Sequence, residues 1–240
     1  MKIIITDDYE QLSERAAEIV AGIVKQNPAA VLGLATGTTP LGLYKRLIAE
    51  RAENGTEYGA VRTVNLDEYM GLPKTHEQSY AYFMRKNLFD ALGIRPENTN
   101  IEDGTATDER AECARYDEVL EKLPRDFQLL GLGSNGHIAF NEPNTPFGST
   151  THVVTLADST VKDNSRLFAD ISEVPRKAFT MGLKSIMQAK KILVLASGAN
   201  KAAAVYGMVR GEVTERLPAS VLQLHPDCTL IIDKAAAGKL

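Results

Sequence analysis

An excess of basic residues, paired cysteines and long apolar runs are all missing from this chain. Its formal net charge is −4 over 240 residues, so neither nucleic acid nor an anionic membrane is an expected partner. Any anionic ligand must be held by a local cluster of cations. Only two cysteines occur, Cys113 and Cys228, far apart and without metal-ligand spacing. The expectation is free thiols in a reducing compartment, with no disulfide framework and no metal site. No apolar run approaches the ~20 residues of a membrane span. Met1–Tyr9 reaches acidic residues after one short apolar run and lacks the core of a secretory signal, so a cytoplasmic location is expected. Repeats, low-complexity stretches and obvious linkers are also lacking.

What is present is an ordinary globular composition, 44% hydrophobic and 24% charged, on a chain long enough for one large core. Short apolar runs alternate with longer helical patterns. Strands are expected at Lys2–Ile5, Ala30–Ala35, Val61–Asn65, Phe127–Leu132, Lys191–Ala196 and Cys228–Asp233. Helices are expected at Tyr9–Lys25, Leu41–Asn54, Tyr80–Leu88, Thr107–Lys122, Asp158–Phe168 and Lys201–Arg210. Asp7 or Asp8, and Thr107, are the expected N-caps. The alternation predicts a single α/β domain over residues 1–240, an open, mostly parallel, Rossmann-like sheet with helices on both faces. The irregular stretch Asn141 to Val174, rich in Thr, Ser and Asn, is the candidate for a lid.

In such sheets ligands bind beyond the C-terminal ends of the strands, and four chemically suggestive segments fall there. Gly131 to Pro143 follows a buried strand with a glycine-rich turn, then His137 and Glu142. An imidazole titrates near neutral pH and a nearby carboxylate orients it; a turn with an incidental histidine is the plainer alternative. Thr36-Gly37-Thr38-Thr39-Pro40 lies between a strand and a helix, where hydroxyls and N-terminal amides suit an anion. It is equally readable as a capped helix, and it matches neither the P-loop nor the dinucleotide pattern. Asp67 and Glu68 follow a third strand. One could be a general base, or an acid there could simply cap the next helix. Ser197 to Lys201 repeats the design of strand, glycine turn and helix, now with a cation. Arg166 could clamp a phosphate. Taken singly, an Arg or Lys in the places of Arg166 and Lys201 is more often a solvated surface charge.

The blocks Thr36–Pro40, Asn65–Tyr69, Gly131–Pro143, Asn164–Arg166 and Gly198–Lys201 occur in an order and spacing that resemble the glucosamine-6-phosphate deaminases. The resemblance runs from the first strand nearly to the C-terminus. It implies conversion of glucosamine 6-phosphate to fructose 6-phosphate and ammonia, without a metal or organic cofactor. On this resemblance His137 moves a proton to or from the ring oxygen during ring opening, and Glu142 orients and polarises it. Asp67 carries a proton from C2 to C1, and water hydrolyses the resulting imine. The phosphate rests on Thr36, Gly37, Thr38 and Thr39, with Arg166 and Lys201 as counter-charges. Many members of that family carry Asp where this chain has Asn135, a catalytic-loop position. The amide adds no negative charge, so a cationic His137 would depend more on Glu142.

The chain is similar to the shorter, unregulated bacterial type rather than to hexameric regulated members. Asn144 to Val154 contains no Lys or Arg, so a monomer or small homo-oligomer with hyperbolic kinetics is expected. Two alternatives stand beside this reading. One is a lactonase or isomerase for sugar phosphates on the same scaffold, which is not expected to share Phe140–Pro143 or Asn65–Tyr69. The other is a non-catalytic sugar-phosphate sensor, which would normally carry a basic DNA-binding module. Among the remaining histidines, His76 is expected in a polar loop, His152 in the candidate lid, and His225 at the end of a helix. Neither cysteine has the electropositive surroundings of a reactive thiol.

Overall fold

Continuous apolar runs become the centre of a parallel sheet because both of their faces are covered. The computed structural model describes residues 1–156, 168 and 170–240. Seven strands run side by side in the order β1 (Lys2–Thr6), β10 (Cys228–Asp233), β9 (Ile192–Ala196), β6 (Phe127–Gly131), β2 (Val31–Leu34), β3 (Arg62–Asn65) and β5 (Thr99–Asn100), every neighbouring pair parallel. Every residue of β2 and β9 is buried. The open α/β sheet is therefore the expected one; β5 is an added short edge strand.

The flanking helices follow the apolar periodicity. Helix α1 (Tyr9–Gln26) buries Leu12, Ala16, Val20 and Val24 and is capped by Asp8, whose carboxylate accepts from the Gln11 amide. Helix α2 (Leu41–Asn54) packs against α1 and buries Leu43, Tyr44 and Leu47. Helix α3 (Tyr80–Met84) continues through a π turn, Arg85–Phe89, into α4 (Asp90–Leu92). Helix α5 (Glu109–Lys122) starts two residues later than expected, with its cap shifted by one. Asp108, not Thr107, caps it, because the carboxylate reaches the amides of both Arg110 and Ala111. Short α6 (Leu183–Ile186) and α7 (Ala202–Arg210) complete the described set. The expected helix over 158–168 lies outside the described residues, apart from Phe168.

A second, antiparallel sheet has no counterpart in the sequence reading. It joins β4 (Asp67–Tyr69), β8 (Lys177–Thr180) and β7 (His152–Thr155) in that order. Only Leu66 separates β4 from β3. Within the candidate lid, His152 to Thr155 are paired strand residues, while residues 142–151 run as the irregular turns expected there. Beneath this small sheet Tyr69, Phe140, Leu156, Val174 and Ala178 form their own apolar cluster, separate from the main core. His225 ends the 3-10 turn Pro218–Leu224 and is buried, its Nε2 2.8 Å from the Ala189 carbonyl.

Candidate active site

The C-terminal ends of β2, β3, β6 and β9 open into one cavity of about 280 Å³, near the lower end of the ~300–1,000 Å³ usual for small-molecule sites. Thr36, Gly37, Thr38, Thr39, Asp67, Tyr80, His137 and Lys201 all line it. The expected anion turn, base, imidazole and one cation thus meet at one place.

In the Thr36–Thr39 turn, Gly37 has φ +95°, which a side chain would strain. The Tyr9 hydroxyl sits 3.1 and 2.9 Å from the carbonyls of Thr38 and Thr39. The amides of Thr36 to Thr39 donate to no acceptor among the described residues, as an anion-binding turn at a helix start requires.

Hydrogen bonding divides the Asp67–Glu68 pair. Asp67 is 6% exposed, and burial, with the neighbouring Glu68 charge, pushes its pKa up to about 8. None of the described residues donates a hydrogen bond to its carboxylate. Glu68 is also buried, but its oxygens accept from the amides of Tyr69, Tyr80 and Ala81, each at 2.9 Å. Helix capping therefore belongs to Glu68, and Asp67 is left free to react.

The loop after β6 presents the imidazole. Its Gly131, Gly133 and Gly136 have dinucleotide-type spacing, yet no helix follows; Ile138 and Asn141 instead form an antiparallel bridge. That geometry offers no helix N-terminus to a pyrophosphate. His137 Nδ1 lies 3.3 Å from Glu142 Oε1, a charge contact outside good hydrogen-bond alignment. The His137 contact, with help from Asn135, lowers the Glu142 pKa against the opposing effect of burial. Asn135 Nδ2 donates to Glu142 Oε2 at 2.7 Å, and its Oδ1 accepts from the His137 amide at 3.2 Å. Asn135 thus fixes the carboxylate and the loop rather than the imidazole ring. Ala139, at φ +53°, is held in the left-handed region, which costs about 1–2 kcal/mol for a residue with a Cβ. Its neighbours compensate: Asn141 Nδ2 donates to the carbonyls of Ile138 and Met181 at 3.0 and 2.8 Å.

The second glycine turn departs from the expected design. The Gly198 amide and Ser197 hydroxyl donate to Asp233, at 2.9 and 2.5 Å. A carboxylate of the chain itself thus occupies the anion-binding backbone there, and Lys201 is what this segment contributes to the cavity. Burial lowers the Lys201 pKa, and no carboxylate pairs with it among the described residues. Arg166 lies outside the described residues. No group of three His, Cys, Asp or Glu side chains among the described residues is arranged to hold a metal ion.

Residues 7–231 match the profile of the family described as glucosamine-6-phosphate isomerases/6-phosphogluconolactonase. The chain belongs to this family. It is 53% identical to a glucosamine-6-phosphate deaminase of Thermoanaerobacter pseudethanolicus, over 99% of this chain and 94% of that one. It is 50% identical to the deaminase of Clostridium novyi, over the whole length of both. A solved monomeric glucosamine-6-phosphate deaminase superposes with a TM-score of 0.97 at 46% identity, covering all of both chains. The 6-phosphogluconolactonase of Trypanosoma brucei shares the fold at 23% identity, with a TM-score of 0.81, over 100% of this chain and 98% of that one.

Within the family frame, Tyr80 is the cavity residue that the motifs left unmarked. It sits at the start of a helix, where its amide donates to Glu68, twelve residues earlier in the chain, at 2.9 Å. Its hydroxyl interacts with the side chains of Tyr69 and Thr36, and its ring stacks on Phe140 at 6.1 Å and 12°.

The position of the imidazole depends on Gly133, where an added Cβ would come within 2.5 Å of the His137 ring. Gly133→Ala should leave the fold intact, because the ring can rotate away. It should lower kcat about 10²-fold, as ångström-scale misplacement of a catalytic group does. Steady-state kinetics with a circular dichroism control tests this; a kcat equal to the parent's contradicts it.

Proposed function

We propose that this chain converts glucosamine 6-phosphate and water to fructose 6-phosphate and ammonia. The observation that carries the reading is that one cavity gathers a buried, unpaired carboxylate, an imidazole with a carboxylate 3.3 Å from its Nδ1, and an anion turn with a lysine. Whole-length identity to named deaminases supports the same substrate. A coupled assay for fructose 6-phosphate and ammonia tests it. A lactonase would turn over its sugar lactone without releasing ammonia.

In this mechanism the phosphate sits against the amides of Thr36 to Thr39 with Lys201, and with Arg166, as counter-charges. His137, oriented by Glu142, moves the proton that opens the pyranose ring. Asp67 removes the proton from C2 of the open-chain 2-amino aldose, giving an enolamine, and returns it at C1 while a proton passes from the amino nitrogen to O1, leaving a 2-imino ketose. Water adds to that imine and ammonia leaves. Burial suits Asp67 to this work, since a base with a pKa near the working pH transfers protons well in both directions.

Two substitutions and one kinetic property test these assignments. Asp67→Asn should cut kcat by about 10²–10⁴-fold while an open-chain amino-alditol phosphate still binds. In the parent, kcat/KM should climb as pH rises toward about 8 and the carboxylate loses its proton. The folded-state pKa lies above the ordinary 3.8, so folding favours the neutral acid. That contribution is complete below the ordinary value and is lost as pH rises through about 8. Asp67→Asn should therefore be more stable than the parent above pH ~8 in thermal melts, and activity or alkaline stability equal to the parent's contradicts the assignment.

Lys201→Ala should raise KM roughly ten- to hundredfold, from the ~1.5–3 kcal/mol of a charge-assisted contact. An unchanged preference for phosphorylated over unphosphorylated sugar places the phosphate elsewhere. Asn144 to Val154 supplies no cation for a second phosphate, so we extend the proposal to a monomer with hyperbolic kinetics. A sigmoidal rate curve, or an oligomer by light scattering, contradicts that extension.

A further inference from the structure

We propose that Glu68 is a positioning residue for the reaction: its carboxylate ties β4 to the start of α3 and thereby fixes both Asp67 and Tyr80 at the cavity wall. This rests on the assignment of Asp67 as the proton-transferring base. Glu68 Oε1 accepts from the amides of Tyr69 and Tyr80, and Oε2 from that of Ala81, all at 2.9 Å. Three backbone donors on one buried carboxylate hold two chain segments that lie ten residues apart. One segment carries Asp67 and the other Tyr80, and both residues line the cavity.

The arrangement exceeds what capping needs. Helix α3 already has an N-cap, Ser79, whose hydroxyl accepts from the Tyr82 amide at 3.1 Å. Glu68 is also walled in behind. A Cβ on Gly104 would meet the Tyr69 carbonyl at 2.3 Å and Glu68 Cγ at 3.4 Å, and the Gly71 amide donates to the Gly104 carbonyl at 2.7 Å. Gly104 thus packs close behind the side chain, and the three amides hold its carboxylate in front.

Glu68 also sets the electrostatic surroundings of Asp67. The charged and titratable groups around the pair are Tyr69 on β4, Lys74 in the following loop, Tyr80 on α3, Glu102 beyond β5, Glu112 on α5, and His137 and Lys201 across the cavity. Glu102 is fully buried with neither carboxylate oxygen partnered, and burial raises its pKa well above the ordinary value, which favours its neutral form. Glu68 is the charge that raises the Asp67 pKa beyond the effect of burial; burial also pushes Glu68 itself up to about 7 against its three amide donors, so it ionises before Asp67 and is charged when Asp67 loses its proton. Replacing Glu68 with a neutral group makes Asp67 easier to deprotonate.

The test compares Glu68→Gln, Glu68→Asp and Ser79→Ala in the full chain, with Asp67→Asn measured in parallel. Glu68→Gln should lower kcat at least tenfold with KM within threefold of the parent, and should move the acid limb of kcat/KM to lower pH. Glu68→Asp keeps the charge but loses the reach, so it should lower kcat with the acid limb in place; it also serves if the glutamine variant does not fold. Ser79→Ala should leave both the limb and kcat within threefold. Parental kcat and pH profile in either Glu68 variant overturns the proposal, as does a Ser79→Ala profile that copies Glu68→Gln. An active Asp67→Asn enzyme instead removes the base assignment on which the proposal rests. An inactive Asp67→Asn beside a parental Glu68→Gln removes the positioning role alone.

Discussion

The rest of the site depends on a carboxylate kept out of water without a partner. Asp67 is 6% exposed, and none of the described residues donates to it. Such a group is costly in its charged form, and the protein lowers that cost by letting it hold a proton. The burial is achieved by the small antiparallel sheet. β4 leaves β3 after a single residue, and the Met181 amide donates to the Leu66 carbonyl at 2.7 Å to hold that break. Tyr69, Phe140 and Ala178 then pack beside it as a secondary core. A parallel sheet alone would leave its C-terminal edge wet; the second sheet makes one part of that edge dry.

The two halves of the site are tuned in opposite senses. On one side burial and a like charge favour neutral Asp67. On the other, Glu142 keeps its charge through contact with His137 and the Asn135 amide. Proton removal and ring opening can thus be served by two carboxylates in one cavity because their surroundings differ. The backbone strain at Ala139 falls in the loop that presents His137, where neighbouring hydrogen bonds over-determine the conformation.

Six strands of the sheet were legible because they are short, largely apolar runs between turn residues, and the main helices because their apolar periodicity is plain. The turns at Thr36–Thr39 and Gly131–Pro143 were legible because glycines and polar residues cluster just past strands. What stayed hidden depends on partners distant in the chain. β4 and β7 are three and four residues long and both pair with β8, as Asp67 does with Thr180; no local pattern encodes that register. Gly198 looked like an anion turn, but Asp233, from the end of the last strand, fills it. Asp67 and Glu68 are adjacent and chemically alike in sequence, and only the amides of Tyr80 and Ala81 separate capping acid from candidate base. Tyr80 read as one residue of a helical pattern, since nothing in its spacing shows which way a capped helix start will face.

The central claim is that the Asp67 carboxylate moves the proton between C2 and C1. Hydrogen exchange in D2O, followed by NMR at those two carbons, tests it most directly. The parent should deliver the C2 hydrogen of substrate to C1 of fructose 6-phosphate, with deuterium entering C1 in the fraction of turnovers in which the proton exchanges with solvent while on the carboxylate. Asp67→Asn, folded and able to bind an open-chain analogue, should do neither on the same timescale. Loss of the C2 hydrogen in that variant at the parental rate would contradict the account, because another group would then be the base.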